Sequence, residues 1–190
     1  QVLEKGGFDA LFLADVIGTY DNYRGGPETS ITEGMQIPAN DPMLLIPAMA
    51  NATTHLGFAF TSSVLQALPF TFARQISTLD HLTQGRIAWN VVTSYLPNAG
   101  TNLGYGGLPP HDERYARADE YLDVTYKLWE GSWEADAVLR DTARGIYADP
   151  AKIHPIDHRG EFYEVAGPHL CEPSPQRTPL LFQAGSSDRG

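Results

Sequence analysis

The apolar positions of this chain come in short blocks separated by amphipathic stretches. Leu11-Phe12-Leu13-Ala14, Leu56-Gly57-Phe58-Ala59-Phe60, Ile87-Ala88-Trp89-Asn90-Val91-Val92 and Leu180-Leu181-Phe182-Gln183 are blocks of strand length. They lack a regular polar alternation, as strands covered on both faces do. Gly6-Gly7 predicts a helix stop before the first block, and Asp41-Pro42 predicts the start of a helix over residues 43–54. Phe72, Ile76, Leu79 and Leu82 recur at helical spacing within residues 69–83, and Gly85 closes that segment. The strongest helical pattern runs over residues 111–129. It places Tyr115, Ala118, Leu122, Thr125 and Trp129 on one face, with Asp112 as the expected N-cap.

Residues 18–41 and 95–110 are rich in Gly, Pro and Asn and read as loops. Residues 131–178 carry Pro150, Pro155, Pro168, Pro173 and Pro175 and read as an irregular excursion, with a hairpin around residues 160–165. Strands alternating with helices predict an α/β fold whose parallel strands are covered by helices. Each strand block ends in polar residues: Asp15, then Thr61-Ser62-Ser63, then Thr93-Ser94, then Ser186-Ser187. Ligands bind at the C-terminal strand ends both in an eight-stranded α/β barrel and in an open doubly wound sheet, so this rule leaves the two open.

Composition narrows the function. The 190 residues are 42% apolar and 19% charged, a globular balance, and suffice for one domain. A formal net charge of −10 with scattered Lys and Arg argues against a nucleic-acid partner. No apolar run approaches the roughly 18–20 residues that span a bilayer, so no membrane association is expected. The only cysteine, Cys171, excludes an internal disulfide and fits a reducing, cytoplasmic setting. The first residue is Gln rather than Met, and the chain is expected to begin inside a longer protein.

Several residues could carry chemistry. Asp15 is either a carboxylate at the mouth of a site or a cap, and the hydroxyls of residues 61–63 are either ligand contacts or turn formers. His111, at a helix start, would contact a ligand or stand exposed beside the cap. Tyr115, one turn on, lies on the apolar face and would ordinarily be core. Ala184-Gly185-Ser186-Ser187 follows the last strand block and suits an anion cradle of small residues and hydroxyls. His154 and His158 have the i, i+4 spacing of a zinc pair, but Pro155 between them and Gly160 after them oppose a helix, and no metal site is expected. A glycosidase would need a second strand-end carboxylate beside Asp15, and none is visible. The residues by themselves thus reach an α/β enzyme with a polar or anionic ligand.

Four stretches add a resemblance: GFDALFLAD (7–15), FTFARQISTLDHLTQGRIAWNVVTS (70–94), HDERYARADEYLDVTYKLWEG (111–131) and residues 152–187. Together they are similar to the bacterial-luciferase-like flavin monooxygenases, in particular the subgroup of nitrilotriacetate monooxygenase component A and dibenzothiophene-sulfone monooxygenase. The resemblance implies a partial (β/α)8 TIM barrel of the luciferase-like type, one domain over 1–190 with about four of the eight strands and insertions at about 18–41, 95–110 and 131–178. The first barrel strand and the last three would lie outside the chain, and the chain alone would be inactive. It also implies FMN, used in its reduced form with O2, a separate NAD(P)H-dependent flavin reductase, a small-molecule substrate and a homo-oligomer when full length. Asp15, Thr61, His111, Tyr115 and Ser186 match cofactor-binding positions, with Ser187 a secondary candidate. An imidazole titrates near neutrality, which makes His111 the candidate for catalytic proton transfer. The chain departs from the pattern where Val64 and Leu65 interrupt the hydroxyl-rich stretch after Thr61, and where Arg177-Thr178 replaces a Gly-containing turn. A deazaflavin-dependent oxidoreductase and a non-catalytic flavin-binding fragment are the alternatives.

Overall fold

The computed structural model describes residues 1–185. Helix α1 (Val2–Lys5) leads into strand β1 (Ala10–Leu13), followed by a short helix α2 (Glu28–Glu33) and by α3 (Pro42–Asn51). Then come β2 (Gly57–Ser63), α4 (Pro69–Thr83), β3 (Ile87–Val92), α5 (Pro97–Asn102) and α6 (His111–Tyr126). A π-helical turn, Lys127–Gly131, extends α6. Two hairpins, β4–β5 (Val138–Asp141 with Ile146–Ala148) and β6–β7 (His158–Arg159 with Glu164–Val165), precede β8 (Leu180–Phe182).

The main sheet has the order β1-β2-β3-β8 with every neighbouring pair parallel. Parallel neighbours need a crossover connection, and α3, α4 and the α6 region supply it. The register sorts the side chains into two faces. Phe58 pairs with Ile87 and Phe60 with Trp89, and all four are buried. The next residues along, Ala59 with Ala88 and Thr61 with Asn90, occupy the opposite face because successive strand side chains alternate. The first face packs against the helices. Phe72 of α4 lies 4.5 Å from Trp89 and 5.7 Å from Tyr121 of α6, measured between ring centroids. Each such aromatic pair adds about 0.5–1.5 kcal/mol to the area it buries.

Local chemistry accounts for the ends of these elements. Asp41 caps α3 by accepting from the Met43 amide at 2.9 Å. Gln84 and Gly85, with φ of 57° and 81°, turn the chain out of α4. Arg177 takes a φ of 55° in the turn before β8, so an arginine adopts a left-handed conformation that usually falls to glycine. Its Nη1 donates to the Trp133 carbonyl at 3.0 Å, which holds it there.

Several expectations are corrected. Asp112 is not the N-cap of α6: Pro110 occupies that position, and Asp112 lies in the first turn, bonded to the His111 ring at 2.9 Å. A proline side chain has no acceptor to offer the first-turn amides, so the helix starts without a side-chain cap. The buried face of α6 is centred on Tyr121, Val124 and Thr125 rather than on Tyr115 and Leu122. The segments 18–41 and 95–110 hold α2 and α5, short helices in Pro- and Gly-rich sequence. The β4–β5 hairpin carries no strong apolar pattern, and β4 has no buried residue.

Candidate active site

The C-terminal ends of the main-sheet strands open on two adjoining cavities. The smaller, about 70 Å³, is lined by Asp15, Thr61, Gln66 and the chain around Ser94. The larger, about 620 Å³, is lined by His111, Arg114 and Tyr115 of α6 and by Gln183, Ala184 and Gly185 after β8. Val92, Ser94 and Tyr95 border both, so the two form one trough across the strand ends. The larger volume falls within the roughly 300–1,000 Å³ of small-molecule sites.

Each wall follows from the sheet. Asp15 stands just beyond β1. Burial raises its pKa, the nearby carboxylate of Asp41 adds to the effect, and bonds from the Val16 amide and the Gln66 side chain oppose it. Thr61, in β2, is buried, and its Oγ1 accepts from Asn90 Nδ2 of β3 at 3.0 Å. Gln66 Oε1 accepts from Ser62 Oγ at 2.8 Å and from the Ser63 amide. Ser94 leaves β3 with a φ of 62°, a conformation that L-residues rarely adopt, and donates to Ser63 Oγ at 2.8 Å. Strain at a strand end that borders both cavities is the kind found at ligand sites.

On the far wall, the His111 and Tyr115 rings lie tilted against each other, 4.8 Å apart at 39° and one helical turn apart in sequence. Tyr95 meets Tyr20 hydroxyl to hydroxyl, which brings the segment after β1 over the trough. Burial, and then the Tyr20 hydroxyl, push the Tyr95 phenol up to about 12. It stays protonated and able to donate throughout the physiological range.

The structure therefore brings Asp15 and Thr61 to the smaller cavity and His111 and Tyr115 to the larger, at one end of the sheet. Ser186 and Ser187 lie outside the described residues, and Gly185 immediately before them lines the larger cavity. His154 and His158 are not brought together. His154 pairs with Glu134 and His158 with Glu120, at 2.9 and 3.1 Å. Among the described residues no group of three or more His, Cys, Asp or Glu could hold a metal ion, and no helix is long and apolar enough to cross a membrane. Sequence reasoning missed Gln66, Tyr95 and Arg114. Arg114 stands three residues after His111, a spacing that shares a helix face, and that signal was available.

Parallel strands covered by helices, with polar groups gathered at the strand ends, define an α/β sheet with its ligand mouth at the C-terminal strand ends. The chain belongs to the luciferase-like monooxygenase family, whose description matches residues 1–190. It is 62% identical over 190 residues to the long-chain alkane monooxygenase of Geobacillus thermodenitrificans, covering all of this chain and 43% of that protein. The crystal structure of a long-chain alkane monooxygenase superposes with a TM-score of 0.96 over 99% of this chain and 43% of the other. The dibenzothiophene-sulfone monooxygenase of Rhodococcus erythropolis is 44% identical over 191 residues, covering all of this chain and 42% of its own, so the subgroup read from the motifs holds. A riboflavin lyase solved with modified FMN and riboflavin is 45% identical, with a TM-score of 0.91 over 99% of this chain and 42% of the other. The chain spans about two fifths of the length of these relatives.

Proposed function

We propose that the protein is the oxygenase component of a two-component, FMN-dependent monooxygenase. The observation that carries the reading is the trough at the strand ends, where Asp15, Thr61, His111 and Tyr115 gather around the shared border of Val92, Ser94 and Tyr95. The donor set suits a flavin. The walls supply neutral hydroxyls, an imidazole, a guanidinium and aromatic faces, and Arg114 Nε is a buried donor with no acceptor among the described residues. Reduced FMN, delivered by a separate NAD(P)H-dependent reductase, would supply the electrons that activate O2.

The chain's own residues would position and shield. Thr61 and Asp15 would face the ring system from the small cavity. His111 and Tyr115 would close the opposite wall, with His111 moving a proton at its imidazole. Ser186, with Ser187 beside it, would bind the phosphate beyond Gly185. Val92 and Leu122, also at the lining, would help exclude water from the reacting atoms. The substrate would be a small organic molecule, and alkanes and organosulfur compounds are the classes named by two relatives. One domain over residues 1–190, a homo-oligomeric assembly and a cytoplasmic location complete the proposal.

The test uses the complete reading frame with a flavin reductase, NADH and FMN. The expected result is FMN binding, and O2 uptake matched by oxygenated product when a long-chain alkane or an aryl sulfone is supplied. Ser186→Ala should weaken FMN binding by about 1–3 kcal/mol, the loss of a hydrogen bond to a charged group. A protein that binds a deazaflavin and not FMN would overturn the reading.

A further inference from the structure

The segment that leaves β1 crosses the mouth of the smaller cavity with no ladder to hold it. Among the described residues, no backbone-to-backbone hydrogen bond involves residues 17–22. Side chains hold the segment instead. Asn98 of α5 offers its amide to both backbone groups of one residue: Oδ1 accepts from the Thr19 amide at 3.1 Å, and Nδ2 donates to the Thr19 carbonyl at 2.6 Å. A neighbouring antiparallel strand would exchange the same two bonds. Nδ2 also reaches Asp21 Oδ2 at 3.5 Å. From the other side, buried Ser30 of α2 donates to the Tyr20 carbonyl at 2.7 Å. The hydroxyls of Tyr20 and Tyr95 meet across the mouth.

The packing around Asn98 is built for this pairing. A Cβ on Gly18 would lie 2.2 Å from Asn98 Oδ1. The backbone of Gly18 is outside the left-handed region, so glycine serves the close approach of Asn98 rather than an unusual conformation. The α5 side is fixed, because a Cβ on Gly100 would lie 2.4 Å from the backbone of Gly107 and Leu108, in the loop that leads into α6. The movable half of the pair is therefore the segment after β1. A stretch held by a few side-chain bonds lies at the low-stability end of a fold and opens locally. Val16 and Ile17 line the smaller cavity from that segment, and Leu96 and Ala99 line it from the α5 side. The Asn98–Thr19 pair joins these two walls.

We propose that Asn98 is a positioning residue that latches residues 17–20 as a strap over the smaller cavity, and that release of the Asn98–Thr19 pair lets a ligand enter and leave this end of the trough. That the ligand is reduced FMN rests on the reading above. The strap sets the rate of exchange, not the affinity, because Asn98 holds the strap and does not line the cavity.

The experiment compares the full-length protein with Asn98→Ala, Asn98→Asp and Gly18→Ala. Hydrogen exchange reads the latch without any ligand. The Thr19 amide should exchange about 10-fold faster or more in Asn98→Ala, while the amides of α4 keep their protection and show that the variant is folded. Asn98→Asp keeps the acceptor and the shape but loses the donor, so its effect should be intermediate, and it still reports if the alanine variant misfolds. Stopped-flow mixing with anaerobic, reduced FMN reads the gate. Association and dissociation rate constants should rise together in Asn98→Ala, by about 5-fold or more, with Kd within about 2-fold of the unmodified protein. Gly18→Ala should act alike and add little to Asn98→Ala, since its clash is with Asn98. Unchanged Thr19 exchange would overturn the latch. Faster exchange with unchanged FMN rates, or a weaker Kd through dissociation alone, would overturn the gate and leave the FMN reading intact. Absence of FMN binding by the unmodified protein would overturn that reading and the gate with it, and Thr19 exchange would still decide the latch.

Discussion

Phe12 and Phe182 meet edge to face, their ring centroids 6.2 Å apart, although they belong to opposite edge strands of the main sheet. With strands about 4.8 Å apart, three spacings in a flat sheet would separate such residues by roughly 14 Å. The sheet is therefore strongly curved, with both rings on its concave face. Phe12 shares a row with Ala59, Ala88 and Leu180, while Phe182 lies two residues further along β8, opposite Asn90; the small side chains of Ala59 and Ala88 leave the rings room to converge. This contact is the signature of a barrel arc rather than of an open, doubly wound sheet.

The concave face carries the first prediction. Phe12 and Phe182 are 51% and 42% exposed, and Leu180 is exposed beside them. Residues 1–190 expressed alone should self-associate and bind a hydrophobic dye, because uncovered apolar surface and open strand edges both invite pairing. Sedimentation velocity and dye fluorescence would check this against the complete reading frame. Phe12→Ser together with Phe182→Ser should lessen both effects, and a monomeric chain with no dye binding would contradict the view.

Asp15 is held in a site that favours its neutral form, so the sign of its pH effect is opposite to that of a paired carboxylate. With its folded pKa raised, mainly by burial, stability falls as pH rises from the ordinary value near 3.9 through the folded one. Asp15→Asn should be slightly more stable at pH 7, by on the order of a few tenths of a kcal/mol after solvent screening. It should at the same time bind FMN more weakly, a trade of stability against function. Thermal melts at pH 4 and 7 with a flavin titration would show both changes. A destabilised variant at pH 7 would count against the assignment.

Glu120 clamps the second hairpin to α6. Its carboxylate accepts from the Phe162 and Tyr163 amides at 2.9 and 2.8 Å and from His158 Nε2 at 3.1 Å. A Cβ on Gly160 would lie 2.0 Å from Glu120 Oε1, so only glycine fits beside the clamp. Burial alone would raise the Glu120 pKa, but His158 and the two amides together bring it below the usual value. The clamp's contribution is thus present above the ordinary glutamate pKa and lost as pH falls through the lowered one. Glu120→Ala should cost about 1–3 kcal/mol, since the His158 ring and two part-buried amides lose their acceptor. Urea unfolding would measure it, and a loss under about 1 kcal/mol would refute the clamp.

His169 responds to acid in the same direction as Glu120 and opposite to Asp15. Burial lowers its pKa to about 4, its Nδ1 has no partner among the described residues, and Nε2 lies 2.8 Å from Ser77 Oγ. The unfolded chain takes up this proton near pH 6.5 and the folded one only near 4, so stability should decline as pH falls across that interval. His169→Gln should flatten the decline between pH 7 and 4.5, with a loss of about 1–2 kcal/mol at pH 7 from the disturbed bond to Ser77. Parallel slopes for the two proteins would show that another group titrates.

The sequence by itself determined the main-sheet strands, the longer helices between them and their order. Phe72, Ile76 and Leu79 specify α4 through a helical period, and the blocks at Leu11, Phe58, Ile87 and Leu180 read as strands covered by helices through their short length and flanking turn residues. The motif stretches also carried the family and four of the residues that line the trough. Only tertiary structure decided the rest. Whether the sheet is an arc or an open twist depends on Phe12 finding Phe182 across two alanines, a contact between residues 170 positions apart that no local pattern encodes. The buried face of α6 rotated toward Tyr121 because Phe72, Trp89 and Tyr163 surround that ring, which frees Tyr115 to line the cavity. Arg114 became notable because its buried Nε has no acceptor among the described residues. Periodicity records which side chains can leave water, but an unmatched donor is a property of the space around a group, and that space exists only once the chain has folded.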